Sequence, residues 1–347
     1  MAIKRIISEI KKYWNYLRTR RFAPLYAFFA ILLFLAIWTV YVPRDFFYKQ
    51  PEVFKAEKGM GDDEIGVELE RLGIISNNWI FSFYVIITGN HSSLQAGDYN
   101  LSPNMSIAQI VSKMVRGDVI KQKLTILEGW DARDIGKYLE AKKFCTQAEL
   151  LKAAQKDFSS DFLFLKGEPE EIGVEGFIFP DTYEISGTDG AEDFVKGTLA
   201  NFDKKLNPEL RQEIAKQKKS IFEIVTMASI IEKEVRTLEE KKIVSGILWK
   251  RMNIGMPLQV DSTINYITNG NDPSVTIKDT KIDSPYNTYK YPGLPLGPIS
   301  SPGMDSIMAA IYPQKTSYLY YLSSPTGKTI FSKTLTEHNA AIAKYLK

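Results

Sequence analysis

The longest uncharged run in the chain is Phe22 to Val42, and it sets the coarsest division of the sequence. As a helix, about 20 such residues cross the roughly 30 Å hydrocarbon core of a bilayer. Pro24 stands near its start, where a helix tolerates proline. Trp38 and Tyr41 stand near its end, where interfacial aromatics collect. Beyond it the hydrophobic pattern becomes that of a folded ectodomain. Glu52–Ala56 reads as a short strand. Ile65, Leu69 and Leu72 share one face of a helix over 62–72 that Gly73 stops. Asn78 to about Thr88 is a second helix or turn-rich apolar segment, and Gln95–Leu101 is a short strand. Ser106 caps a helix that carries Ile107, Ile110, Val111, Met114 and Val115, and Gly117 ends it. A strand at Lys123–Leu127 follows.

From Glu128 onward helices dominate. Asp131 caps one reaching about Lys142, and another covers 147–156. A turn-rich stretch occupies 159–187, helices fill 191–217, and one long apolar helix runs from Ser220 to Met252. A Pro/Gly-rich region, 284–303, precedes a helix over 304–311. A hairpin of Tyr318–Ser323 and Lys328–Phe331 and a last helix, 336–346, close the chain. The fold class is α+β, with an N-terminal transmembrane helix, a small module over 50–120 and a larger mixed domain over 121–347.

Charge gives the anchor a direction. Lys4, Arg5, Lys11, Lys12, Arg18, Arg20 and Arg21 face only Glu9, so residues 1–21 carry +6 while the whole chain carries +3. The positive-inside rule keeps that tail in the cytoplasm and puts the rest outside the plasma membrane. No small-x-small site follows the apolar run, which argues against a cleaved signal peptide. The body is left with −3 and no basic excess, so nucleic acid is not an expected partner. Cys145 is the only cysteine, which rules out an intramolecular disulfide; it reads as a small semi-buried apolar residue.

With two histidines, His91 and His338, far apart in sequence and outside any ligand motif, carboxylates are the available acid–base groups, and no metal or organic cofactor is expected. Glu232 and Glu234 stand out, in an apolar helix segment, Ile221 to Val235. On a helix Glu232 follows Ala228, Ser229 and Val225, with Val235 beyond it. A carboxyl in such a stripe loses hydration, which raises its pKa as a general acid requires. Glu234 has Ile230 and Ile231 behind it. Periodicity leaves open which of the two is functional, or whether both are surface charges paired with Lys233, Arg236 or Lys241.

The segment Ala228-Ser-Ile-Ile-Glu-Lys-Glu234 resembles the catalytic-helix motif of the endolytic murein transglycosylases, the MltG or YceG-like family. Other blocks follow in the same order: Leu127-Glu-Gly-Trp130, Glu175-Gly-Phe-Ile-Phe-Pro-Asp-Thr-Tyr183, Leu258-Gln-Val-Asp-Ser-Thr263, Pro285-Tyr-Asn-Thr-Tyr289, Gly293-Leu-Pro-Leu-Gly-Pro-Ile299, Ser301-Pro-Gly303, Tyr318-Leu-Tyr320 and Glu337-His-Asn339. The resemblance implies a LysM-like glycan-binding module near 50–120. It implies cleavage of the β-1,4 bond between N-acetylmuramic acid and N-acetylglucosamine in nascent strands, leaving 1,6-anhydro-muramyl ends. It assigns the catalytic role to Glu232. Gln259 and Asp261, expected on a loop or strand after the catalytic helix, and Tyr286, Asn287, Thr288 and Tyr289 are then candidate sugar contacts, and Glu128 and Glu175 candidates for the same cleft. Asn287 reads equally well as a turn former. Expected partners are peptidoglycan strands, the membrane and, by the logic of releasing growing strands, the synthases that make them. The competing expectation is a membrane-anchored, non-catalytic scaffold that binds peptidoglycan.

Overall fold

An unbroken 40-residue helix, α1 (Ala2–Tyr41), opens the computed structural model, which describes residues 2–48, 50–167, 169–270 and 275–346. Its segment Pro24–Tyr41 is long and apolar enough to cross a membrane, and of that segment only Val40 is buried by the protein. Phe28, Leu32, Phe34 and Trp38 all lie exposed. The helix extends through the basic tail, so Pro24 sits inside it rather than near its start. There it lacks the N–H that would bond the carbonyl one turn back.

The remainder forms two compact units. Residues Met1–Gln122 with Ser186–Thr188 make the first, and Lys123–Ile185 with Asp189–Lys347 the second. In the first, β1 (Glu52–Ala56) pairs antiparallel with β2 (Gly97–Leu101), from Glu52 opposite Leu101 to Ala56 opposite Gly97. Alternation sends Phe54, Ala56, Tyr99 and Leu101 to one face. There they pack with Ile65 and Leu69 of α2 (Asp62–Arg71), Phe81 and Val85 of α3 (Asn78–Ile87) and Ile110 and Met114 of α4 (Ile107–Val115). Each large apolar side chain so buried contributes about 1.5–3 kcal/mol. Ser106 caps α4 in a reciprocal box with Gln109, and Gly73, at φ 73°, turns the chain out of α2.

Strand β3 (Lys121–Thr125) pairs with β4 (Thr182–Ser186), a strand hidden within the stretch that reads as turn-rich. Just before β4, Phe177 and Phe179 enter the core. Phe177 meets Phe202 edge-on at 5.3 Å, and Phe202 lies 4.9 Å from Phe164. Most of the Glu175–Tyr183 block is therefore packing. Around this core lie α5 (Ala132–Ala141), capped by Asp131, then α6 (Gln147–Ala154), α7 (Ala191–Lys205) and α8 (Pro208–Lys216). Cys145 is half-buried against it, and burial pushes its thiol up to about 11.

The one long helix expected over 220–252 is two. Helix α9 (Ile221–Glu234) ends at Val235, which is extended at φ −145°, and α10 (Leu238–Asn253) starts afresh with Thr237 as its cap. Every residue of α9 from Ile224 to Ile231 is buried, so it is the central helix of the unit. Next, α11 (Asp261–Thr268) occupies residues expected as loop or strand, and α12 (Met304–Ile311) packs on α9 and α10. A hairpin, β5 (Tyr320–Ser323) with β6 (Thr329–Ser332), and α13 (Leu335–Tyr345) complete the unit.

Candidate active site

The break between α9 and α10 folds Lys241 back onto Glu232. On one continuous helix these residues would stand about 13 Å apart along the axis. Instead the Lys241 ammonium donates to both Glu232 carboxylate oxygens, at 3.0 Å to Oε1 and 3.2 Å to Oε2. The two side chains are only 4% and 9% exposed. A second arm of the site is sewn onto α9 by Ser229, one turn before Glu232. The Ser229 hydroxyl accepts from the Ile299 N–H at 3.0 Å, and the Ser300 hydroxyl donates to the Ser229 carbonyl at 3.1 Å. The same loop then delivers the Gly303 N–H to Glu232 Oε2 at 2.9 Å and, one turn into α12, the Ser306 hydroxyl at 2.7 Å.

Apolar residues line α9 behind Glu232, as its periodicity predicts. The carboxylate itself, however, meets donors: an ammonium, a backbone N–H and a hydroxyl. Such a shell corrects the expectation of an acid wrapped in apolar side chains. It also treats the two oxygens unequally. Oε2 receives three hydrogen bonds, whereas Oε1, among the described residues, receives one from Lys241 and keeps room for another partner.

Glu128 belongs to this site. A Cβ built on Gly303 would meet Glu128 Oε1 at 1.9 Å, so the two carboxylates share one glycine between them. Burial, followed by the charge of Glu232, raises the pKa of Glu128. Lys241 counteracts this, and Asp305 adds to it. Gly129, at φ 79°, carries the chain past the site, and its carbonyl accepts from Lys233 Nζ at 3.2 Å.

Glu234 faces another way. It accepts from the Ser262 hydroxyl at 2.8 Å and the Tyr321 hydroxyl at 3.1 Å, and burial raises its pKa above the usual range. Asp261, at the start of α11, adds to that rise and accepts from the Tyr289 hydroxyl at 2.5 Å.

The other candidates take varied places. Gln259 is exposed and holds a left-handed backbone, φ 52°, rare for a side-chain-bearing residue; its N–H donates to the Thr288 carbonyl at 3.1 Å. Thr288 is buried, bonded to the Val260 N–H and the Thr263 hydroxyl. Asn287 is fully buried. Its amide nitrogen serves the Thr280 and Ile282 carbonyls, and its oxygen takes the Tyr289 and Lys290 N–H groups. That fills the amide and makes Asn287 the brace of its loop.

Glu175 and Tyr286 line a different space, a half-open cavity of about 480 Å³ shared with Arg133 and Tyr266. Glu175 is 8% exposed, and both its oxygens lie 3.2 Å from the Ala132 N–H at the start of α5. Burial, reinforced by Asp131, pushes its pKa to about 8.

Residues 54–344 match the model of the YceG-like family. The chain belongs to the YceG-like family. It is 33% identical over 293 residues to the endolytic murein transglycosylase of Bacillus subtilis strain 168, covering 80% of each chain. It is 31% identical to the endolytic murein transglycosylase of Streptococcus pneumoniae D39 over 83% of its own length, and spans 57% of that longer relative. The crystal structure of a yceG-like protein from Listeria monocytogenes superposes with a TM-score of 0.57 at 36% identity, covering 84% of this chain and 99% of that one. The fold is thus that of a YceG-like protein, mixed α+β with an apolar N-terminal helix.

Lys241, Gly303 and Ser306 complete the site of this YceG-like chain; the sequence names Lys241 as a possible surface partner of the two glutamates and gives Gly303 and Ser306 no role beside them. Lys241 did carry a signal: it shares its stripe on α10 with the buried Val244, Ser245 and Leu248. A lysine on such a stripe needs a partner. Gly303 and Ser306 carried none, because their role depends on Ser229 holding a loop some 70 residues away in sequence.

Proposed function

We propose that this chain is a membrane-anchored peptidoglycan lytic transglycosylase with Glu232 as its acid and base. The observation that carries the proposal is the lone acceptor position left on Glu232 Oε1 inside an otherwise saturated donor shell. The names of the relatives support the substrate class. In this reading Glu232 gives its proton to the glycosidic oxygen between N-acetylmuramic acid and N-acetylglucosamine as the anomeric bond breaks. The resulting carboxylate then takes the proton of the muramyl C6 hydroxyl as that oxygen bonds to the anomeric carbon. The product is a 1,6-anhydro-muramyl end, and no water is consumed. One carboxylate suffices where hydrolases use two. Glu128, Gln259, Asp261, Tyr286 and Tyr289 are proposed to contact the strand, and Asn287 and Thr288 to hold the loop that presents them.

The domain reading follows: residues 1–21 as a cytoplasmic basic tail, 22–42 as a single membrane span, 50–120 as a LysM-like glycan-binding module and 121–347 as the catalytic domain outside the plasma membrane. Synthases that make the strands are the proposed neighbours. To test the reaction, the full-length protein in detergent is incubated with un-crosslinked glycan strands and the ends are read by mass spectrometry. Wild type should leave anhydro ends, and Glu232→Gln none.

The nearly buried Glu232–Lys241 pair supports one other reading, an ion pair that only fastens α9 to α10 in a strand-binding scaffold. Strand binding without any anhydro product from wild type would favour it.

A further inference from the structure

The Glu175 cavity has no part in the proton transfers assigned to Glu232, and it is a built site. Leu151, Ala154 and Ile172 give its wall an apolar side, Tyr266 and Tyr286, whose rings lie 4.9 Å apart, an aromatic one, and Gln155, Glu171 and Ser284 a polar one. Its volume of about 480 Å³ falls within the range of small-molecule sites. Its one cation is already engaged: Arg133 pairs with Asp131 through Nε at 2.8 Å, donates to the Tyr266 carbonyl at 3.1 Å, and stacks 4.6 Å over the Tyr266 ring. An anionic ligand would find this guanidinium neutralised and the carboxyl of Glu175 facing it.

We infer that this cavity is an accessory subsite for an uncharged N-acetylated amino sugar of the strand, with Glu175 bonding its acetamido group and Tyr266 and Tyr286 against its ring. The inference rests on the transglycosylase reading for its substrate class. A sugar ring offers C–H faces to aromatic rings, and an acetamido group offers a methyl to the apolar wall and a carbonyl to a donor. A protonated carboxyl supplies that donor, as Glu175 can because burial and Asp131 disfavour its charge. The cavity also lies within reach of the same strand. A Cβ built on Gly129 would stand 3.8 Å from Glu232 Cγ, Ala132 lines the cavity, and the three intervening peptide links span at most about 11 Å.

The test is an equilibrium titration on full-length protein in detergent, in a Glu232→Gln background that blocks turnover. The probes are triacetylated chitotriose and its fully de-N-acetylated counterpart. The acetylated trimer should bind, and the deacetylated one should bind at least about tenfold more weakly, as should the acetylated trimer to Tyr266→Ala. Glu175→Gln, which keeps a donor, should bind nearly as wild type, and Glu175→Leu should not. Leu151→Trp, which fills the cavity from its rim, should lose binding with an unchanged melting temperature, guarding against a variant that merely misfolds. No binding of the acetylated trimer, or equal binding by the cavity variants, would overturn the subsite. Loss of anhydro ends from wild type, with this binding pattern intact, would instead remove the transglycosylase reading and leave the subsite standing.

Discussion

Gly303 shows how one residue can hold a site together without a side chain. Its φ of −73° is ordinary, so its backbone does not demand glycine; the demand comes from Glu128, which occupies the space a methyl would need. Gly303→Ala should push Glu128 aside and tilt the N–H away from Glu232. A displacement of about 1 Å at reacting groups costs on the order of 100-fold in rate. We expect a fall of that size in kcat/KM, measured on glycan strands. Glu175 makes a separate prediction. Its folded pKa of about 8 stands above the ordinary carboxylate value of 4.5, so the folded chain holds a proton that the unfolded chain releases between those limits. Stability from this group is therefore full below about pH 4.5 and is lost as pH climbs through about 8, by on the order of a few kcal/mol. Thermal melts across that range should show the slope in wild type and a flatter curve in Glu175→Gln. Glu232 could be found in the sequence because its neighbours form a recognisable block. Of its donors only Lys241 could be named, as a surface charge partner; its burial against Glu232 and the Gly303 and Ser306 donors could not, because each is brought there by tertiary structure, from α10 and from a loop that Ser229 secures.

At the scale of elements, the caps and stripes were the legible features. Ser106, Asp131 and Gly73 begin or end helices where local chemistry requires it, and the hairpin falls at the alternating segments near the end of the chain. The interruption after Glu234 was not legible, because hydrophobic periodicity continues across it. Helix α9 stops where Val235 turns extended, and what restarts the chain is Thr237, whose hydroxyl accepts from the Glu240 N–H at 3.3 Å and donates to the Glu240 carboxylate at 2.8 Å. Thr237→Ala should cost about 1 kcal/mol of stability. Because Lys241 rides on the first turn of α10, it should also lower activity, whereas Thr237→Ser should restore both. Parallel melting and turnover measurements would check this. Helix α11 was missed for a related reason: Val260 and Asp261 begin it only once Thr288 has taken the Val260 N–H.

The whole molecule joins an exposed apolar helix to two folded units. The protein should pellet with membranes and resist alkaline carbonate, and removal of residues 1–42 should move it to the soluble fraction, as read by immunoblot. The α+β class and the long apolar N-terminal helix were legible because both rest on long uninterrupted patterns, whereas the pairing of β3 with β4 joins segments nearly 60 residues apart and leaves no local trace. The uneven dressing of Glu232 has a stereochemical corollary for the proposed reaction. With Oε2 saturated, donation and collection of the proton pass through one point, Oε1. The departing and arriving oxygens must visit that point in turn, and so must lie on the same face of the ring. Substitution on a single face preserves handedness, so the bicyclic sugar end should carry the same β anomeric configuration as the bond that was cut.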